Sequence, residues 1–390
     1  MLPFFLQSEI ISSKFNVTFS YRYSKKYFEG LSKRIEIDNT IIGLNFPDPL
    51  DFSLLPQFIP FIILRFFFLI SRLVFIYPIL FFEIAYFVIL FKKLKLDILH
   101  INNGGYPGAL SCRAAAIAGG IISIPKIIMV VNNITVEYNS FFRIYGYPID
   151  IITKFFVDKF ITGSIVAEKK IKYVLKLGES KSIAIPNGIK PISPNRDKSV
   201  ILHELNLNEY KGKIIGVVGL LIERKGHLIL LQALNMIINE IGVKNIKLII
   251  IGDGPLKYTL NSFIKINNLT DHVCFTGQVI DPINYISVID FLLLPSLENE
   301  DFPFAVIEAM SCSKPVIASK VAGTIEQIVE NKNGFLVEPA NIVQLADKIL
   351  ILLNDVVFLR NMGKNSLELF LNNFTDQKSL KKYLSIYESN

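Results

Sequence analysis

The 390 residues exceed what one ordinary hydrophobic core organises, and with 51% of them hydrophobic the chain can fill two. That richness excludes a disordered protein, and three cysteines without CxxC spacing or histidine-rich surroundings argue against a structural zinc site or a disulfide scaffold. A net charge of +7 suits anionic partners, but Lys and Arg form no run interleaved with aromatics, so nucleic acid gives way to lipid headgroups or a phosphorylated substrate.

From Met1 to Ile11 the chain is apolar without a basic start or a small-residue cleavage site, so no signal peptide and a cytoplasmic location are expected. In chain order, the segments 15–21, 96–101, 126–132, 159–164 and 182–188 read as strands, with helical patterns at 107–119 and 166–176. Between the first two strands, Phe58 to Phe91 is long and apolar enough to cross a bilayer. Arg65, Arg72, Pro78 and Glu83 interrupt it, and an ionised Glu83 at mid-membrane is costly. The expectation over 58–95 is an apolar helix pair lying in the membrane interface, flanked by Lys92, Lys93 and Lys95; a helix buried in the N-terminal domain is the competing reading.

Residues 189–212, with Pro191, Pro194 and a polar run at 195–198, read as a linker. Beyond it, strands at 213–219, 246–252, 272–277, 290–296, 314–319 and 334–339 alternate with helices at 226–242, 255–267, 282–289 and 304–313. Fully apolar strands separated by amphipathic helices predict a parallel sheet covered on both faces, with ligands at the carboxyl ends of its strands. The expected organisation is α/β: an N-terminal acceptor-binding domain over 1–196, a C-terminal nucleotide-sugar domain over 197–372, and a terminal helix at 373–390 returning to the first domain.

Chemistry concentrates in the segment 295–319. Glu300 and Glu308 stand eight residues apart, on a loop after a strand and on the helix that follows. The backbone N–H groups of Ala305 and Val306 open that helix, a start suited to a phosphate anion, and the two carboxylates suit sugar hydroxyls. Earlier, Gly219 ends a strand and leads through Arg224 and Lys225 into a helix, which places two cations beside a leaving diphosphate.

The Glu-x7-Glu spacing and the string that follows it resemble the glycosyl transferases group 1, the retaining family 4 enzymes of GT-B fold, in which two Rossmann-like doubly wound domains face a central cleft. The resemblance covers roughly 96–390 and implies that Glu300 contacts the donor sugar and Glu308 the donor ribose. Lys225-Gly226 matches the family's Lys-Gly, whereas Leu220 stands where an Arg is usual and Arg224 takes over that charge. "IGDGPL" with Gly252 and "FTGQV" with Gly277 and Val279 resemble the nucleotide-facing turns, and Asp301, Phe302 and Pro303 complete the expected donor side.

"IPNGI" (185–189) and Ser164 also resemble the family. On the acceptor side, the family's first Gly-Gly loop is missing or disguised, and "NNGGYPG" with Asn103, Gly104 and Gly105 stands in. Asn132 occupies the place of a frequent histidine, which leaves His100 as the nearest histidine. The implied chemistry is metal-independent retaining transfer from a nucleotide-diphosphate sugar to a lipid-linked or other saccharide acceptor in cell-surface polysaccharide or lipopolysaccharide synthesis, at the inner membrane face. A catalytically inactive sugar-nucleotide-binding protein and an epimerase or phosphorylase of the same fold are the competing readings.

Overall fold

The computed structural model describes residues 8–32, 40–44, 62–191 and 193–389; the first seven residues of the apolar start and residues 58–61 of the apolar segment lie outside them. In the N-terminal half, β1 (Phe19–Arg22) pairs in parallel with β2 (Ile41–Leu44) as a separate ribbon. A four-stranded parallel sheet follows, made of β3 (Ile98–Asn103), β4 (Lys126–Val131), β5 (Lys159–Thr162) and β6 (Ser182–Ala184), in that order. Continuous runs such as Ile127 to Val131 are buried throughout, as a strand covered on both faces requires.

The C-terminal sheet contains β7 (Lys213–Val218), β8 (Ile246–Ile251), β9 (Val273–Gly277), β10 (Phe291–Leu294), β11 (Val316–Ser319) and β12 (Gly334–Val337). Its order, β12-β11-β10-β7-β8-β9, is doubly wound, and every pairing is parallel. Winding reverses between β7 and β10, so the helices that follow those two strands pack on opposite faces of the sheet, and the carboxyl ends of the two strands are where a ligand crevice is expected. One helix of the expected linker, Lys198–Glu204, belongs to this domain and packs Ile201 into its core.

The apolar segment is one continuous helix, Ile62–Leu94, and not a pair. Pro78 falls on its exposed side, where the carbonyl that loses its N–H partner can meet water. Leu80, Glu83, Phe87 and Phe91 are buried on one face, against helix Leu110–Ile121. Glu83 is therefore inside the domain. Burial of the neighbouring Cys112, with the Glu83 charge adding to it, pushes that thiol up to about 12. The opposite face, with Phe75, Phe81 and Phe82, is exposed.

The last helix, Asp376–Glu388, leaves the C-terminal domain and covers the four-stranded sheet. Tyr383 and Ile386 join Ile128, Val130, Ile161 and Ile185 in one core. Lys126 Nζ donates to the carbonyls of Ile386 (2.9 Å) and Tyr387 (3.0 Å), satisfying last-turn groups that the helix itself leaves open. Ile386→Ala should lower stability by about 2–4 kcal/mol, read as a reduced urea midpoint; an unchanged midpoint would mean that this helix does not hold the N-terminal domain.

A candidate donor site at the switch between β7 and β10

The loop leaving β7 is held from two sides. Leu221 N–H donates to the Asp253 carbonyl and Leu256 N–H to the Leu221 carbonyl, each at 3.0 Å, and Leu297 N–H donates to the Arg224 carbonyl at 2.7 Å. Gly226 adopts φ +68°, and a Cβ there would stand 1.9 Å from the Pro295 carbonyl oxygen, so only glycine lets the two loops approach. This zipper aims Lys225 and Arg224 at one acid. Lys225 Nζ and Arg224 Nη1 (3.2 Å) both pair with Glu300 Oε1, which also accepts from Ser296 Oγ at 2.9 Å.

Two cations against one buried carboxylate leave a surplus positive charge in a partly desolvated crevice, as an anionic ligand requires. Gly219 adds space beside it, since the nearest atom to a Cβ there would be Lys225 Cδ at 3.7 Å. Helix Phe304–Ser311 starts next to this group at Pro303, with no side-chain cap on its first turn. Ala305 and Val306 lie in that turn. The carboxylate of Glu308, one turn on, accepts no hydrogen bond and makes no ion pair among the described residues, and burial pushes it up to about 7. Gly252, at φ +146°, brings the turn after β8 against the Gly219 carbonyl, and Gly277, at φ +70°, ends β9 with Val279 half-buried beyond it.

Three residues expected on the donor also make contacts elsewhere in the chain. Asp301 Oδ2 accepts from the Gly163 N–H at 2.9 Å and Oδ1 from Ser164 Oγ, both in the N-terminal domain. Its carboxyl is nevertheless raised to about 6, because burial outweighs those two hydrogen bonds. Phe302 is buried edge-on against Phe374, and its carbonyl accepts from Asn187 Nδ2 at 3.0 Å. The Pro303 carbonyl accepts from Gln327 Nε2 at 3.2 Å. Glu326 was not expected at all: its carboxylate accepts from the N–H groups of Ile165 and Val166, both at 3.0 Å. Two acids of the C-terminal domain thus cap one helix of the N-terminal domain, Ile165–Leu175, and sequence carries no signal for the second.

On the acceptor side the structure divides the expected residues. Asn103 is fully buried and structural: its amide bonds the Pro107 carbonyl and the Ala109 N–H, and its carbonyl accepts from Asn132. Gly104 has open space on its Cβ side, and Gly105 approaches Asn133. His100 does not join them. It lies under the C-terminal helix, with Nδ1 2.6 Å from Tyr387 Oη, and burial lowers its pKa to about 4. Its place on the acceptor side is corrected accordingly: a strand residue with alternating orientation faced the second layer and not the loop. Among the described residues, no three His, Cys, Asp or Glu side chains gather as metal ligands would.

Residues 202–368 match the family glycosyl transferases group 1. The chain is 33% identical over 156 residues, 40% of each chain, to N-acetyl-alpha-D-glucosaminyl L-malate synthase of Bacillus anthracis. It is 27% identical over 315 residues, 76% of each chain, to UDP-Gal:alpha-D-GlcNAc-diphosphoundecaprenol alpha-1,3-galactosyltransferase of Escherichia coli. The chain spans 36 to 59% of the length of the Bacillus synthase and three further curated relatives. Anabaena HepE, solved in complex with UDP and glucose, shares the fold at TM-score 0.69 and 18% identity, covering 94% of this chain and 89% of that one. The architecture is GT-B, as the sequence implied.

Glu308 provides a pH test. Its folded-state pKa lies above the ordinary carboxylate value, so the folded chain holds that proton more tightly than the unfolded chain. Stability therefore falls as pH rises from about 4.5 to about 7. Glu308→Gln should be more stable than wild type at pH 8, by on the order of 1–3 kcal/mol, and equal to it below pH 4. A pH-independent difference in thermal midpoint would refute this. Glu326→Ala should cost about 0.5–2 kcal/mol as a lost helix cap and raise the radius of gyration in solution scattering; an unaltered radius would deny it a role in holding the domains together.

Proposed function

We propose that this chain, whose C-terminal domain belongs to the glycosyl transferases group 1, is a retaining glycosyltransferase that uses a nucleotide-diphosphate sugar. The observation that carries the reading is the convergence of Lys225 and Arg224 on Glu300 where the sheet reverses. A bound diphosphate would take those cations, together with the uncapped start of helix Phe304–Ser311. That leaves Glu300 to accept hydrogen bonds from the donor sugar and Glu308 from the ribose hydroxyls.

In the reaction, the acceptor hydroxyl oxygen bonds to the anomeric carbon from the face that the diphosphate leaves. The bond between that carbon and the β-phosphate oxygen breaks, and the acceptor proton passes to a donor phosphate oxygen. Negative charge grows on the diphosphate as this bond lengthens. Fixed cations in a low-dielectric crevice therefore stabilise the transition state more than the ground state. No step in this scheme is routed through a metal.

Uridine nucleotides are the first donors to test, since HepE was solved with UDP. A lipid-linked saccharide is the acceptor class, and the protein works at the cytoplasmic face of a membrane in cell-surface polysaccharide synthesis. The exposed apolar face of helix Ile62–Leu94 supports that placement, and the Escherichia coli relative's name specifies a diphosphoundecaprenol substrate. The three free cysteines agree with a reducing compartment. Leu220, 56% exposed where relatives usually carry an arginine, favours a binding-only protein as the second reading.

A thermal-shift screen of nucleotide sugars followed by a transfer and hydrolysis assay separates the two. One donor should raise the midpoint and be consumed, and Lys225→Ala and Glu300→Gln should each lose at least about 10²-fold in kcat. Wild-type turnover in both variants would refute the assignment, and stabilisation without consumption would favour the binding protein.

A further inference from the structure

We infer that the N-terminal domain docks on an anionic phospholipid bilayer through an aromatic face that two elements share: helix Ile62–Leu94 and the helical hairpin formed by Phe141–Tyr145 and Tyr147–Phe156. The inference rests on the lipid-linked acceptor proposed above and supplies the surface that would present it. The hairpin has no counterpart in the sequence reading of the membrane segment.

The hairpin is built inside out. Its inward side carries ions: Asp150 is fully buried and accepts from Arg143, from Arg113 at 3.3 Å, and from the hydroxyls of Tyr106 (3.1 Å) and Tyr138 (2.8 Å). Its outward side carries Phe141, Phe142 and Phe155, of which Phe141 is 67% and Phe155 75% exposed. An element in water has the reverse polarity. Turning these rings inward would break the Asp150 cluster and leave Arg113 of helix Leu110–Ile121 in the core without its acid, so the exposure is fixed by the fold.

Helix Ile62–Leu94 shows the same division. Leu80, Phe87 and Phe91 fill the core, while Phe81, 68% exposed, and Phe82 point away from it. The two elements meet directly, with Tyr77 Oη donating to the Tyr145 carbonyl at 2.9 Å and the two rings edge to face at 5.2 Å. Both pack against helix Leu110–Ile121, and Phe156 occupies the space left by Gly120 on it.

Position and charge select the occupant. The hairpin follows β4 directly, and helices that follow parallel strands begin at the carboxyl ends, so the aromatic face starts at the rim of the acceptor side. At its far end Lys92 and Lys95 are exposed beside Ile121, around a depression of about 300 Å³. Aromatic rings over an apolar face with lysines at its edge fit an interface rich in anionic headgroups.

Co-flotation of the full-length chain with phosphatidylglycerol–phosphatidylcholine vesicles tests this directly. Wild type should float. The triple variant Phe141→Ser, Phe142→Ser, Phe155→Ser should partition at least about ten-fold more weakly, since each ring removed forfeits buried apolar area. Lys92→Glu with Lys95→Glu should remove the preference over pure phosphatidylcholine. All variants should keep the wild-type thermal midpoint and nucleotide response, since the substituted side chains are exposed and outside the donor site.

Undiminished flotation of the triple variant would overturn the proposal. So would self-association in sedimentation that the triple substitution abolishes while wild type ignores vesicles. Vesicle binding by a protein that responds to no nucleotide sugar would support the docking face and sink the donor reading separately.

Discussion

Four consecutive residues, Glu300 to Pro303, tie the donor crevice to the arrangement of the domains. Glu300 gathers the cations of the β7 loop, and its carbonyl accepts from the Gly323 N–H at 3.0 Å. Asp301 then crosses to the N-terminal domain, Phe302 holds Asn187 and packs edge-on against Phe374, and Pro303 opens the helix that carries Glu308. A shift of this strand exit would move Glu300 and the Asp301 contact with Gly163 and Ser164 together. The candidate donor residues and the contact between the domains thus share one short stretch of backbone.

The electrostatics of the crevice follow from unequal compensation. Glu300 is buried but has two cations and a hydroxyl, so its charge is matched. Glu308 is partly enclosed with no partner for its carboxylate among the described residues, and Asp301 has two donors that do not offset its burial, so both carboxyls are raised. An acid that lacks partners in the free protein is one that a ligand can satisfy. The hydroxyls of a bound nucleotide would supply hydrogen bonds to an ionised Glu308 and draw its pKa back down.

Sequence reveals the C-terminal domain well because its strands are short apolar runs, each followed by a helix, and the loops carry their chemistry in residues whose type is diagnostic. Lys225, Gly226 and Glu300 are of that kind: a cation, a positive-φ glycine and an acid at a strand exit. Contacts made across the domains are less legible. Asp301 reads as one more polar residue near a phosphate site, and nothing local tells that its partners lie at Gly163 and Ser164. Glu326 sits in a four-residue helix whose own periodicity is silent about helix Ile165–Leu175. His100 failed for a related reason, since a strand shows which residues alternate but not which layer each side will meet.

The N-terminal helices defeat periodicity more deeply. Orienting a helix by the spacing of its apolar residues presumes that apolar means inward, and the hairpin violates that premise with Arg143 and Asp150 inside and Phe141 and Phe155 outside. Helix Ile62–Leu94 violates it differently, being apolar on both faces, so composition alone cannot separate a bilayer span from a core helix. The structure separates them by what each face touches. Glu83 and Phe87 are enclosed by the domain, so the helix cannot leave it to cross a bilayer without exposing its core, yet Phe81 and Phe82 are largely exposed. A helix with one face committed to protein and the other exposed can lie along a lipid surface, and on the proposed function that geometry would keep the expected acceptor side within reach of a substrate whose tail stays in the membrane.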